Sequence, residues 1–176
     1  WLAEGLALLS HHRLAVHPPV VLTPEINRRT FRRRILLPAE VLLEDDQRVL
    51  VIDAHLSSGD DDALRVREAH HILSILPDTL PTVLVGDLNA TPRAGSITAL
   101  IEGGLVDAWP AAAAAGERGL TYPANAPRRR IDYVMVCGGL GVVEVSVPDD
   151  LGAAMSGLSD HRPLLVRLEL PDPAPD

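Results

Sequence analysis

Apolar positions along the chain gather in short runs broken by proline, glycine and charge. That is the spacing of buried strands with few helices between them. Gly5 to Ser10 carries the first run, Leu6 to Leu9, closed by His11, His12 and Arg13, and predicts a strand. From His17 to Arg34 the prolines Pro18, Pro19 and Pro24 and the arginines Arg28, Arg29, Arg32, Arg33 and Arg34 predict a solvated loop. Ile35 to Leu43 and Arg48 to Leu56 predict two strands joined by a polar hairpin turn at Glu44 to Gln47. The second strand is apolar on both faces, as a central strand is. Ser57 to Asp62 supplies capping and acidic residues for a helix start, and Leu64, Ala69, Ile72, Leu73 and Leu76 recur at helical spacing up to Pro77.

Thr82 to Val85 predicts a short buried strand, and Thr98 to Ile101 belongs to a short helix stopped by Gly103 and Gly104. Pro110 to Pro127 is an Ala/Gly/Pro stretch expected to be a long loop with a function. Ile131 to Val136, Val142 to Val147 and Leu164 to Leu170 predict the remaining strands. Hairpin pairing at one end and a strand–helix–strand unit in the middle point to a mixed sheet or sandwich with helices outside.

Length adds that 176 residues suffice for one domain with a sizeable core. No apolar run reaches the roughly 18 residues of a membrane span, so the chain reads as soluble and, by default, cytoplasmic. The net charge of −8 disfavours a high-affinity grip on nucleic acid, though an enzyme making a few phosphate contacts is compatible with it. All sixteen basic residues are Arg, a matter of composition rather than chemistry. The single cysteine, Cys137, excludes an intrachain disulfide and a cysteine-built zinc site, and its apolar setting predicts a buried structural thiol. The first residue is Trp1 with no signal-peptide pattern behind it, and a predicted strand follows almost at once. The expectation is a fragment or processed product.

Four polar clusters stand where apolar runs end: His55-Leu56, Gly86-Asp87-Leu88-Asn89, Ile131-Asp132-Tyr133 and Ser159-Asp160-His161. Singly, each has a plain reading. His55 would be a satisfied core histidine, Asp87 and Asn89 an Asx turn, Asp132 a partner for nearby arginines, and Asp160 a turn residue or cap. Four together are harder to dismiss, because each holds polar groups beside buried strands where an unpaired charge costs several kcal/mol.

The ordered series "HL", "GDLNATP", "RIDYVMV" and "SDHRPLLV" resembles the endonuclease/exonuclease/phosphatase superfamily, with weaker support from Arg65, "GLVDAW" and "LTYP". The match runs from about Gly5 to Leu170. The resemblance implies an α+β fold, a β-sandwich of two mixed sheets flanked by helices, here lacking the N-terminal strands of the full fold. It makes residues 1–170 one partial domain and 171–176 a disordered tail. The implied activity is hydrolysis of a phosphoester by in-line attack of water, aided by Mg²⁺ or Mn²⁺.

In that scheme Asp87 resembles the general base and Asn89 can address the same water or a phosphoryl oxygen. His161 resembles the phosphate-binding histidine, with Asp132 keeping it a cationic donor and His55 a second donor from the opposite side. Asp160 resembles a metal-proximal carboxylate. Arg130, Tyr133 and Ser159 are the expected substrate contacts. Ala54 stands where many relatives carry Thr, and Glu68 where Gln is frequent.

The family's metal-holding Asn and Glu lie upstream of the segment matching Gly5, and Glu4 does not take that role. The expectation is therefore weak Mg²⁺ binding, impaired activity, and self-association through exposed sheet edges. A nuclease, a lipid phosphodiesterase and a small-molecule phosphatase all fit the motifs. The alternative from another class is a non-catalytic binding or scaffold module of the same fold.

Overall fold

A computed structural model describes residues 5–22, 34–148 and 157–171. The two strongest apolar runs pair as expected. Strands β3 (Ile35–Leu42) and β4 (Arg48–His55) form an antiparallel hairpin with Leu42 opposite Arg48 and Leu36 opposite Ala54. The acidic turn between them closes as one 3₁₀ turn, Glu44–Asp46, with the Leu43 N–H donating to Gln47 O at 2.9 Å. Asp45 and Asp46 take φ of 55° and 58° there, a left-handed conformation that Asp tolerates better than most residues.

Helix α1 (Asp62–Ile75) starts where the Asp61 side chain accepts the Ala63 N–H, and it buries Ala69 and Ile72. It carries the chain back so that β5 (Thr82–Asp87) lies parallel to β4, and β7 (Asp132–Cys137) then runs antiparallel to β5. Helix α2 (Gly95–Glu102) packs beside α1. At the edges, β1 (Arg13–Val16) and β2 (Val20–Val21) pair with β3, and β6 (Val106–Asp107) pairs with β7. The result is an α+β fold around a mixed seven-stranded sheet, in the order β1-β3-β4-β5-β7-β6 with β2 also on β3.

Strand alternation sorts the two faces of this sheet. Leu50, Ile52 and Ala54 of β4, Leu84 of β5 and Tyr133 and Met135 of β7 are buried with Ala69 and Ile72 of α1 and Ile97 and Leu100 of α2. The other face carries Val49, Val83 and Val136, with Val51, Val85 and Val134 partly buried around them. Val142 of β8 (Gly141–Ser146) and Leu168 of β9 (Leu165–Glu169) pack on that second face. Strands β8 and β9 pair only with each other among the described residues, antiparallel, so the second sheet is not mixed.

Other boundaries moved for identifiable reasons. Residues Leu6 to Leu9 form no strand; the ladder begins at Arg13, where the chain meets the free edge of β3, and Leu9 is left 97 % exposed. The stretch beginning at Pro110 is not all loop, because α3 (Ala108–Ala112) places Pro110 in its first turn, where a missing N–H costs nothing. Asp107 caps that helix by accepting the Trp109 N–H at 3.1 Å. Arg34 is buried rather than solvated, while the rest of the basic run and residues 172–176 lie outside the described residues.

Candidate active site

Sheet register assembles the site. His55 ends β4 directly opposite Asp87, which ends β5 directly opposite Asp132, the first residue of β7. The three side chains therefore stand in one row, on the face opposite the α1–α2 core, with adjacent strands about 4.8 Å apart. His55 Nε2 lies 3.4 Å from Asp87 Oδ2, and the two side chains are 26 % and 18 % exposed, open to solvent at the end of the sheet.

Backbone contacts lock the strand ends. The Leu56 N–H donates to Asp87 O at 3.0 Å, and the Leu88 N–H to Ile131 O at 2.9 Å. Gly86 makes the approach of β5 to β4 feasible: its φ is 131°, and a Cβ there would lie 1.9 Å from the Ala54 carbonyl oxygen. After β5 the chain turns through Asn89 at φ 49°, whose N–H donates to Asp87 Oδ1 at 2.8 Å. The Asn89 amide Nδ2 donates to Leu56 O at 3.0 Å. The β4–α1 loop is clamped from behind: the fully buried Glu68 carboxylate accepts from Ser57 N–H at 2.9 Å and Ser57 Oγ at 2.6 Å. The Arg65 guanidinium donates to Ser57 O and Gly59 O.

His161 reaches the row from a separate segment. That segment is tied to the 121–129 hairpin by Ala124 N–H to Asp160 O at 2.7 Å and Arg162 N–H to Thr121 O at 2.8 Å. His161 Nδ1 lies 2.9 Å from Asp132 Oδ2 and 3.0 Å from Oδ1. An ionised carboxylate only accepts, so Nδ1 carries the hydrogen. Nε2 then lies on the side of Asp87, 3.9 Å from its Oδ2. The fully buried Thr121 donates from Oγ1 to Asp132 Oδ2 at 2.5 Å, and the Tyr122 ring sits 4.8 Å from the imidazole, tilted by 50°.

Burial pushes the Asp87 carboxyl above the ordinary Asp range; the Asn89 N–H opposes this, the Asp132 charge adds to it, and His55 and His161 oppose it. Asp53, one step back along β4 on the same face, is raised too, chiefly by burial, against hydrogen bonds from the Ala7 and Ala54 backbone and the charge of His55. Ligating atoms of Asp87, Asp132 and His161 lie within 4.8 Å of one another, a group able to hold a metal ion. Two crowded carboxylates beside an imidazole suit a divalent cation, which would offset their mutual repulsion, and each carboxylate has further lone pairs to offer.

His55, Asp87, Asn89, Asp132 and His161 thus converge. The other expected contacts are placed differently. Arg130 is buried, forked onto Asp107 at 2.9 and 2.6 Å, with its guanidinium 4.5 Å from the Tyr133 ring centroid. Tyr133 points into the α1–α2 core, where its hydroxyl donates to Ala90 O at 2.8 Å and burial raises its pKa. Ser159 Oγ accepts the His161 N–H at 3.1 Å, and Asp160 is exposed, outside the three-residue ligand group. Sequence reasoning missed Asp53, hidden inside an apolar strand, and the contacts of Thr121 and Tyr122, for which "LTYP" was the available signal.

Comparisons with known proteins agree with this fold. Solved structures with the same fold include an endonuclease/exonuclease/phosphatase from Bacteroides vulgatus, 20 % identical with a TM-score of 0.72, over 89 % of this chain and 66 % of that one. A mannosyl-6-phosphatase of Bacteroides thetaiotaomicron is 19 % identical with a TM-score of 0.70, over 89 % of this chain and 67 % of that one. The human Nocturnin catalytic domain, solved with a bound sulfate anion, is 18 % identical with a TM-score of 0.64, over 89 % of this chain and 60 % of that one. The chain therefore spans about two thirds of the length of these structures or less. No curated protein gives a match. A family model described as the endonuclease/exonuclease/phosphatase family matches residues 2–161, and the chain belongs to that family.

Proposed function

We propose that this protein hydrolyses a phosphoester with the help of a divalent cation, Mg²⁺ or Mn²⁺. The observation that carries the reading is the His55–Asp87–Asp132 row with His161 bound to Asp132 and facing Asp87. Asp87 is a half-buried carboxylate at a solvent-open strand end, flanked by His55 and His161, where it can accept a proton from an attacking water. It takes the proton of the attacking water. Asn89 fixes Asp87 through its backbone N–H, and the second N–H of its amide remains for the water or a phosphoryl oxygen.

His161, bound to Asp132 through Nδ1–H, donates from Nε2–H to a phosphoryl oxygen, and His55 donates from its imidazole on the other side of Asp87. The carboxylates of Asp87 and Asp132 would hold the cation, with Asp160 the further exposed carboxylate open to its hydration shell. The ion would supply positive charge to the phosphoryl oxygens. Arg130 and Tyr133 act by holding β7 in place, and Ser159 by fixing the backbone of His161, rather than by touching substrate.

The relatives' names point the same way: one is a mannosyl-6-phosphatase, and the Nocturnin domain holds sulfate, an analogue of phosphate in charge and shape. The net charge of −8 favours a small or weakly selective phosphoester over a long nucleic acid. The test is turnover of phosphodiesters and phosphomonoesters with Mg²⁺ or Mn²⁺, against chelator. Metal-dependent turnover that falls at least ~100-fold in Asp87→Asn supports the reading. Turnover that survives both chelator and Asp87→Asn refutes it.

A further inference from the structure

The segment that delivers His161 has a second side. Arg162, the next residue, and Leu120, the neighbour of Thr121, both line a cavity of about 340 Å³. Consecutive Cα atoms are about 3.8 Å apart, so this cavity shares a wall with the candidate active site. Its apolar lining comes from Trp109, Leu120, Pro127 and Val147, and its basic groups are Arg118 and Arg162. The volume falls at the small end of the roughly 300–1,000 Å³ range in which small-molecule sites occur, and a few charged groups on apolar walls is their usual composition.

The shape is fixed by the fold. The Trp109 indole donates to Glu117 O at 3.4 Å, and Gly119, at φ 62°, lies so close to the ring that a Cβ would come within 2.5 Å of it. Arg162 Nε donates to Ala124 O at 2.8 Å, which anchors the basic wall to the same hairpin that carries Tyr122.

Charge picks the ligand. In a chain of net charge −8, Arg118 and Arg162 both line the cavity, with Glu117 the one acidic residue among the described residues that line it. A local basic rim on an acidic protein draws anions to that rim. We propose that this cavity is a second anion subsite: it takes a phosphate or carboxylate borne on an apolar or ring-containing part of the substrate, while the scissile phosphoester lies at Asp87 and His161. The inference rests on the hydrolase reading above and narrows its substrate class to phosphoesters that carry an additional anionic group.

Binding and turnover test it separately. Phenyl phosphate, which joins an anion to a ring, is titrated in chelator against the Trp1→Phe, Asp87→Asn protein, in which Trp109 is the one remaining tryptophan, while its emission is followed. The emission change should saturate, require about tenfold more ligand in Arg118→Gln, disappear in Val147→Phe, and persist in His161→Asn. A change insensitive to Arg118→Gln and Val147→Phe, or abolished by His161→Asn alone, overturns the proposal. In the kinetic arm, Arg118→Gln should raise KM about tenfold more for a doubly anionic phosphoester than for a singly charged one with the same scissile bond; equal effects on both also overturn it. Absence of turnover on every ester would sink the hydrolase reading, yet leave the titration able to decide the subsite.

Discussion

Replacing Arg130 by Met separates a structural arginine from a substrate-binding one. The guanidinium makes two charge-assisted hydrogen bonds to Asp107, and the two side chains are 7 % and 4 % exposed. It also covers the Tyr133 ring, a contact worth up to about 2 kcal/mol when desolvated. Arg130→Met removes these and strands the Asp107 carboxylate in the interior, for an expected loss of about 3–5 kcal/mol. That is a large part of the roughly 5–15 kcal/mol that stabilises a domain.

With a urea dependence of about 2 kcal/mol per molar, the unfolding midpoint followed by circular dichroism should fall by about 2 M. Adding Asp107→Asn removes the stranded charge while keeping an oxygen to cap α3, so the double variant should regain at least about 1 kcal/mol. Because Arg130 ties β7 to Asp107 of β6, two residues before Asp132, its effect on turnover should follow the folded fraction. A loss below about 1 kcal/mol, or a large rise in KM with unchanged stability, would refute the reasoning and return Arg130 to the substrate.

Asp87 should weaken the metal-free fold at neutral pH. A carboxyl whose pKa is raised on folding contributes stability while protonated and loses it as pH rises through the raised value, so in chelator Asp87→Asn should melt at a higher temperature than wild type at pH 7. That advantage should vanish below the ordinary Asp value of about 3.9; an advantage independent of pH contradicts the assignment. Thr121→Val leaves Asp132 Oδ2 without its hydroxyl donor, so kcat should fall about tenfold with KM little changed, and Thr121→Ser should restore most of it. A Ser variant as impaired as the Val variant would show that the methyl, not the hydroxyl, matters.

Elements whose patterns depend on the chain's own periodicity were legible in the sequence. The β3–β4 hairpin, α1 and β5 follow from apolar spacing, an acidic turn and a cap, all local signals. The polar residues closing β4 and β5 and opening β7 were also legible, because Asp and His beside apolar runs need a reason. Their placement in one row was not, since it depends on register across strands distant in sequence.

Helix α3 was hidden because Pro110 reads as a breaker until one knows that it occupies the first turn. The strand expected at Leu6 to Leu9 failed for the converse reason: hydrophobicity marked the run, but the free edge of β3 is met by Arg13–Val16. The Arg130–Asp107 pair was not legible, because nothing in the sequence reveals that Asp107 approaches Arg130 from β6.

In the proposed mechanism Asp87 and His161, from segments remote in the sequence, act on one reacting group. Kinetics of Asp87→Asn, His161→Asn and the double variant, compared on one phosphoester at equal folded fraction, test it directly. Groups that work as a unit lose far less together than the product of their separate losses. Each single variant should lose at least ~100-fold in kcat, with the double within about tenfold of the worse single. Losses that multiply in full, or a single variant that retains wild-type turnover, would contradict it.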